Sequence, residues 1–373
     1  MTTCITDVRI FDGDDLLAEP ATVAFDASGI VSVTPGANTV AGSTVLDGAG
    51  ATLLPGLIDA HIHLAGRDSL EQLAAYGVTT GLDMATWPTE TVAALRAIAG
   101  HDGIADFRSP GFAAIGPSGP HSHFVPAEAM VTTPEEGRRF VAARIAEHAD
   151  YIKIVAEAPG EGGPDQPTMT AIVDAAHAGG RQVIVHASSA GAYVMALDAG
   201  ADMTTHVPLG APLPDEIVQR TVDENCIAIP TLTMMNGIAT AHGAAPAFAG
   251  PLASVDALYR AGVPILAGTD ANSTPGVPAN VPHGEGLHQE LGFLVEAGLS
   301  AMDALRAATG RAADVFGLTD RGRVRPGLRA DLLLVGGDPT ADISATRNIR
   351  EVFVAGEPLA QQRLSDTAAA ERR

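Results

Sequence analysis

The chain has 373 residues, 46% hydrophobic and 18% charged, which is enough apolar material for one large folded unit and a smaller one. A net charge of −22 with no basic stripe excludes a nucleic-acid partner and argues against an anionic membrane surface. No apolar run is long enough to span a bilayer, the opening MTTCITDVRIFDGDD lacks the apolar stretch of a signal peptide, and Cys4 and Cys226 have no neighbouring thiol, so a cytoplasmic protein is expected.

Residues 1–54 read as short strands (ITDVRIF, ATVAFD, GIVSVT, STVLDGAG) between Gly, Asp and Pro turns, an antiparallel pattern. From Leu57 the rhythm changes to apolar strands alternating with Ala-rich helical stretches. The strand candidates are GLIDAHIH, VTTGLDMA, PGFAAIG, YIKIVAE, QVIVHAS, DMTTHVP, CIAIPTL and VPILAGTD. Strands and helices alternating in this way over residues 55–320 predict an α/β fold, a (β/α)8 TIM barrel, as the catalytic domain. RADLLLVGG and IREVFVAG, within 321–360, return to strands and are expected to pair with residues 1–54 in a small β-sandwich domain built from both chain ends. The polar stretch 361–373 is expected to be a flexible tail.

The polar groups then fall in a pattern. In PGLIDAHIHL, alternate residues of a strand face the same way, so His61 and His63 project together, roughly 6–7 Å apart. Two imidazoles side by side among apolar residues need something to satisfy their nitrogens, and a divalent metal would do so. Lys153, in ADYIKIVAE, is the only lysine; the rest of the 22 basic residues are arginine. An arginine cannot give up its proton, whereas a buried lysine can, so a neutral amine is the reason to keep one. His186 ends the fifth strand, His206 the sixth and Asp270 the eighth, and barrel active sites lie at the C-terminal strand ends. Six candidate ligands from five strands therefore converge on one mouth.

PGLIDAHIHL, the strand-four lysine, the two later histidines, GTDA and the closing GRVRPGLRADLLLV together resemble the amidohydrolase superfamily over almost the whole chain. GTDANSTPGVPANVPHGEGLHQELGFLVEAG further resembles its branch of prolidase-like, imidazolonepropionase-like and ochratoxin-cleaving amidases. The resemblance implies two divalent ions of the zinc type. His61, His63 and Asp270 would hold one and His186 and His206 the other, bridged by a carbamate formed from Lys153 and carbon dioxide. It further implies hydrolysis of an amide C–N bond by a hydroxide shared between the ions, with Asp270 moving the proton. An ester, lactone or phosphotriester is the alternative bond. A deaminase fits less well, because HASSAG lacks the acid expected three residues after the strand-five histidine, and a scaffold that has lost its ligands fits least.

Around this centre, His121 and His123 in GPSGPHSHFVP, Glu157 and His283 are candidate substrate contacts, and Asp59 is placed to orient the metal site. His101, His148, His177 and His242 read as ordinary. The loops expected at the mouth contain no arginine or lysine and offer Phe124, Val125, Met234, Met235, Phe248 and Trp87, with acids at Glu157, Glu161 and Asp165. Those walls suit a small, largely neutral or hydrophobic substrate. A homo-oligomer is compatible with the sequence, which does not set a subunit count.

Overall fold

The computed structural model describes residues 1–359, with Phe124 described by its backbone alone; the tail expected over 361–373 lies outside the described residues. Five strands open the chain: β1 (Thr3–Ile10), β2 (Ala21–Asp26), β3 (Gly29–Pro35), β4 (Thr44–Asp47) and β5 (Thr52–Pro55). The middle of the chain follows with β6 (Leu57–Ile62), β7 (Val78–Asp83), β8 (Asp106–Arg108), β9 (Ile152–Val155), β10 (Val183–His186), β11 (Met203–Thr205) and β12 (Ile227–Ile229). β13 (Leu332–Val335), β14 (Ile349–Val354) and β15 (Glu357–Pro358) close the described chain. Helices alternate with the middle strands: α1 (Arg67–Ala75), α2 (Thr89–Arg96), α3 (Pro134–Ala146), α4 (Gln166–Ala178), α5 (Ala190–Ala199) and α6 (Asp215–Asp223). They continue with α7 (Leu232–Ala241), α8 (Ala249–Arg260), α9 (Glu285–Glu296), α10 (Ala301–Ala307) and α11 (Gly310–Val315).

The two chain ends do join in one sheet. Its order is β15-β14-β13-β5-β1-β2-β3, with β4 added on β1. The link between the ends is the antiparallel pair β5–β13, in which Leu53 faces Leu334 and Pro55 faces Leu332. This sheet is mixed rather than antiparallel throughout, because β1 runs parallel to both β4 and β5. Ile5, Val8, Ile10, Val23, Leu53, Leu332 and Phe353 form a separate apolar cluster on it.

The middle strands form an α/β arrangement of two parallel sheets, β6-β7-β8 and β12-β11-β10-β9. Their residues are buried on both faces, which explains the near-continuous apolar runs. Two of the expected strands differ in detail. The third was expected over 110–116, but regular pairing with β7 stops at Arg108 because Pro110 has no N–H and Gly111 turns to φ 72°. The chain resumes contact at Ala114, whose N–H donates to the Lys153 carbonyl and whose carbonyl accepts from Val155. The eighth, residues 263–270, is not a regular strand, yet it bonds to Ala228 on one side and to Ala60 and His61 on the other. Gly268 allows that crossing: a Cβ there would lie 2.9 Å from the His61 nitrogen.

The stretch 231–250, expected to be a loop at the mouth, is instead largely helical. α7 and α8 flank a short 3-10 turn, and Met234, Met235 and Phe248 are buried in the core rather than lining an opening. Among the described residues no helix is long and apolar enough to cross a membrane.

Candidate metal centre

The HIH pair lies where strand geometry puts it. His61 is buried at the end of β6, and His63 follows one residue beyond it, a quarter exposed. Both turn Nε2 towards Asp270, at 3.4 and 3.1 Å from Oδ1. Asp270 meets them because residues 263–270 run alongside β6, where the Asp270 N–H donates to the His61 carbonyl. Its φ of 59° places it in the left-handed region, which aspartate tolerates better than most residues. The Asp270 Oδ2 also lies 3.9 Å from His206 Nδ1.

The second half comes from β9, β10 and β11, which run in parallel register. His186 Nδ1 and His206 Nε2 face each other at 2.9 Å. Lys153 is buried, with Nζ donating to Thr205 Oγ1 at 3.0 Å. The His61 and His206 rings are 4.9 Å apart, so the two halves form one cluster. His61, His206 and Asp270 present ligand atoms that all lie within 4.8 Å of one another.

Burial controls protonation here. It pulls His61 down to about 3 and holds His186 and His206 well below the usual imidazole range, so all three are neutral with lone pairs available. Burial also lowers the Lys153 ammonium to about 7, against a partial offset from the Asp270 charge. For Asp270 burial acts upward, but His61, His63 and His206 outweigh it and keep the carboxylate ionised. Burial would likewise lower His63, yet its contact with Asp270 leaves it raised.

The remaining expected residues fall into three settings. His121 sits on a 3-10 turn (Pro120–Phe124), its Nδ1 3.2 Å from Glu157 Oε1 and its ring edge-on to His186 at 4.7 Å. Glu157 is buried, and the loops that hold this pair interlock: the Gly162 α-carbon leaves no room for a Cβ, which would meet Ser118 and Gly119 backbone at 2.4–2.5 Å. His123 on the same turn is exposed. His283 is buried, with Nε2 2.9 Å from the His63 carbonyl oxygen, where it braces the backbone after β6. Trp87 is 39% exposed on the loop after β7.

Of the groups behind the cluster, Asp59 was expected from the sequence, whereas Asp83, Thr231 and Glu290 were not. Asp83, at the end of β7, accepts from Ser109 Oγ, Thr86 Oγ1 and the Leu64 N–H behind His63. Asp59, whose carboxyl burial pushes up to about 7, accepts from the His61 N–H and from both donors of Thr269, tying β6 to the Asp270 segment. Thr231 Oγ1 meets His206 Nδ1, and Glu290 bonds the residues that follow it. Each is a polar residue inside an apolar stretch, and that mismatch was the only local signal.

The cluster has the chemistry of a metal site. Its donors are imidazole nitrogens, a carboxylate and an amine that can be neutral, a set suited to zinc-type ions. His61 Nδ1 and His186 Nε2 are buried atoms with no hydrogen-bond partner among the described residues, and such atoms are costly unless something else satisfies them. Cavities of about 460 and 400 Å³ lie elsewhere, sharing Gly317, Leu318 and Thr319; their arginines, such as Arg321 and Arg323, are already paired with Asp106, Asp314 and Asp320.

Known proteins resemble the chain in both sequence and fold. The sequence pattern described as Amidohydrolase family matches residues 52–359. An uncharacterised protein of Mycobacterium tuberculosis is 29% identical over 333 residues, covering 80% of this chain and 83% of that one. Adenine deaminase 2 of Rhizobium meliloti is 29% identical over 319 residues, covering 80% of this chain and 48% of that one. A crystal structure of a Xaa-Pro dipeptidase with bound methionine in the active site superposes with a TM-score of 0.82 at 22% identity, covering 96% of this chain and 100% of that one.

Proposed function

The chain belongs to the amidohydrolase family, a family of hydrolases, and from that premise we propose that it cleaves the C–N bond of a small, largely neutral or hydrophobic amide with the help of two bound divalent ions. What supports this reading is that His61, His63 and His206 surround Asp270, that His186 faces His206, and that His61 Nδ1 and His186 Nε2 are buried without a hydrogen-bond partner among the described residues. His61, His63 and Asp270 would hold one ion and His186 and His206 the other, zinc being the natural choice for this donor set. Such ions supply an acidified water and a Lewis acid for the scissile carbonyl.

The protein's own groups do the rest. Lys153 contributes an amine that burial brings to about 7, so that a substantial fraction is unprotonated near neutrality and can combine with carbon dioxide to give a bridging carbamate. Asp270, kept ionised by the surrounding imidazoles, accepts a proton from the attacking water at a carboxylate oxygen and returns it to the leaving nitrogen. His121, backed by Glu157, faces the substrate beside His186, while His123 stands at the rim. We read the two parallel sheets, with the bridges at Ala114, Ile265 and Ala271, as the eight-stranded barrel that aims these groups at one mouth, and the terminal sheet as the sandwich beside it.

The loops after the strands supply no lysine or arginine to receive a substrate carboxylate by charge-assisted hydrogen bonds. The preferred substrate is therefore an amide without a free carboxylate next to the scissile bond. Deamination, the activity named for one relative, is the second reading. It is disfavoured because the residue three after His186 is Ser189, which caps α5 instead of offering a carboxyl group.

The test is metal analysis of the purified protein, followed by assay of a matched pair of N-acyl substrates, one with a free carboxylate and one amidated. About two ions per chain and higher kcat/KM on the amidated partner are expected. A chain without stoichiometric metal would overturn the metal-dependent reading, and preference for the free acid would overturn the substrate reading.

A further inference from the structure

Thr231 occupies an unusual position for its residue type. It is the N-cap of α7, where a threonine normally turns its hydroxyl onto an N–H of the helix's first turn. Here its φ and ψ are 50° and 48°, in the left-handed region that a β-branched residue avoids, and its side chain makes no capping bond. The capping is done from another helix. Glu290 on α9 accepts from the Leu232 N–H at 3.0 Å, and from the Thr233 N–H and hydroxyl at 2.7 and 2.8 Å. Thr231 and Glu290 are both fully buried. The Thr231 hydroxyl is thus free of its local duty and is turned onto His206 Nδ1 at 2.5 Å. On the other flank, the Tyr193 hydroxyl donates to the His206 carbonyl, so ring and backbone are held separately.

An imidazole that gives its Nδ1 proton to an oxygen has a lone pair left at Nε2. In His206 that nitrogen is the one facing His186 Nδ1. We propose that Thr231 is a positioning residue that sets the His206 tautomer, and that Glu290 frees it to do so by capping α7 in its place. The consequence for metal binding rests on the function proposed above: only the Nδ1-protonated tautomer offers Nε2 to an ion. Partners of this kind, one step removed from the metal, change metal affinity by roughly 10–100-fold when lost.

The experiment compares the full-length wild type with Thr231→Val, Thr231→Ser and Glu290→Gln. Two quantities are read: the His206 tautomer, from nitrogen chemical shifts of metal-free protein labelled with 15N-histidine, and zinc affinity, by chelator competition. Wild type and Thr231→Ser should hold His206 protonated at Nδ1. Thr231→Val, which keeps the shape and removes the acceptor, should give mixed tautomers and bind the weaker-held zinc roughly 10–100-fold less tightly. Glu290→Gln should fall between. A valine variant with wild-type tautomer and wild-type affinity would overturn the proposal. If wild type binds no zinc but the tautomer still depends on Thr231, the metal-dependent reading fails and the positioning role stands.

Discussion

Residues 61–63 and 121–123 both spell His-X-His, and the protein uses them differently. The first pair follows a strand, so both rings leave the same face and both Nε2 atoms reach Asp270. The second pair sits on a 3-10 turn, where residues two apart diverge. His121 turns inward to Glu157 and the His186 ring, while its companion His123 faces solvent. Spacing acquires meaning only from the backbone that carries it, and a two-residue period converges only on an extended chain.

The largest expected effect comes from the side of the strand pair. Lys153→Arg retains a cation but cannot form a carbamate, so turnover should fall roughly 10³-fold or more, as for groups that act only as part of a unit. Near-wild-type activity in that variant would show that the lysine is not a bridge. Asp270→Asn should lower kcat by about 10²–10⁴-fold while most of the metal is retained, because an amide cannot carry the proton. Metal and rate falling in parallel would reduce Asp270 to a ligand.

On the turn side the effects should be smaller and should leave metal content intact. His121→Asn or Glu157→Gln should reduce kcat/KM by about tenfold, the scale of one hydrogen bond. Loss of metal from either variant would mean that the two pairs are not so different after all. His123→Ala should change stability by no more than about 0.5 kcal/mol in thermal denaturation, as for an exposed side chain with no special contact.

A pH measurement probes the strand-side framework from behind. Burial pushes the Glu290 carboxyl up to about 8 from an ordinary 4.5. Between those values the fold binds a proton that the unfolded chain has released, so the contribution is complete below pH 4.5 and is lost as pH rises towards 8. Metal-free wild type should therefore lose stability relative to Glu290→Gln across that window, by at most about 1.4 kcal/mol per pH unit. Parallel stability curves for the two proteins would show that Glu290 is ionised throughout.

The sequence by itself determined the parts that depend on short-range order. Apolar runs alternating with helical stretches specified parallel strands, strand-end placement brought His61, His186 and His206 to one side, and the sole lysine marked position 153. Tertiary structure decided what depends on distant partners. Residues 263–270, which form no regular strand, are tied to β6 by Asp59, and the start of α7 is capped by Glu290 from far along the chain. His283 was drawn to the His63 carbonyl, and Asp83 and Thr231 were set behind the ligands. Periodicity reports which face a residue takes on its own element, whereas a buried hydrogen bond between elements leaves no period in either of them.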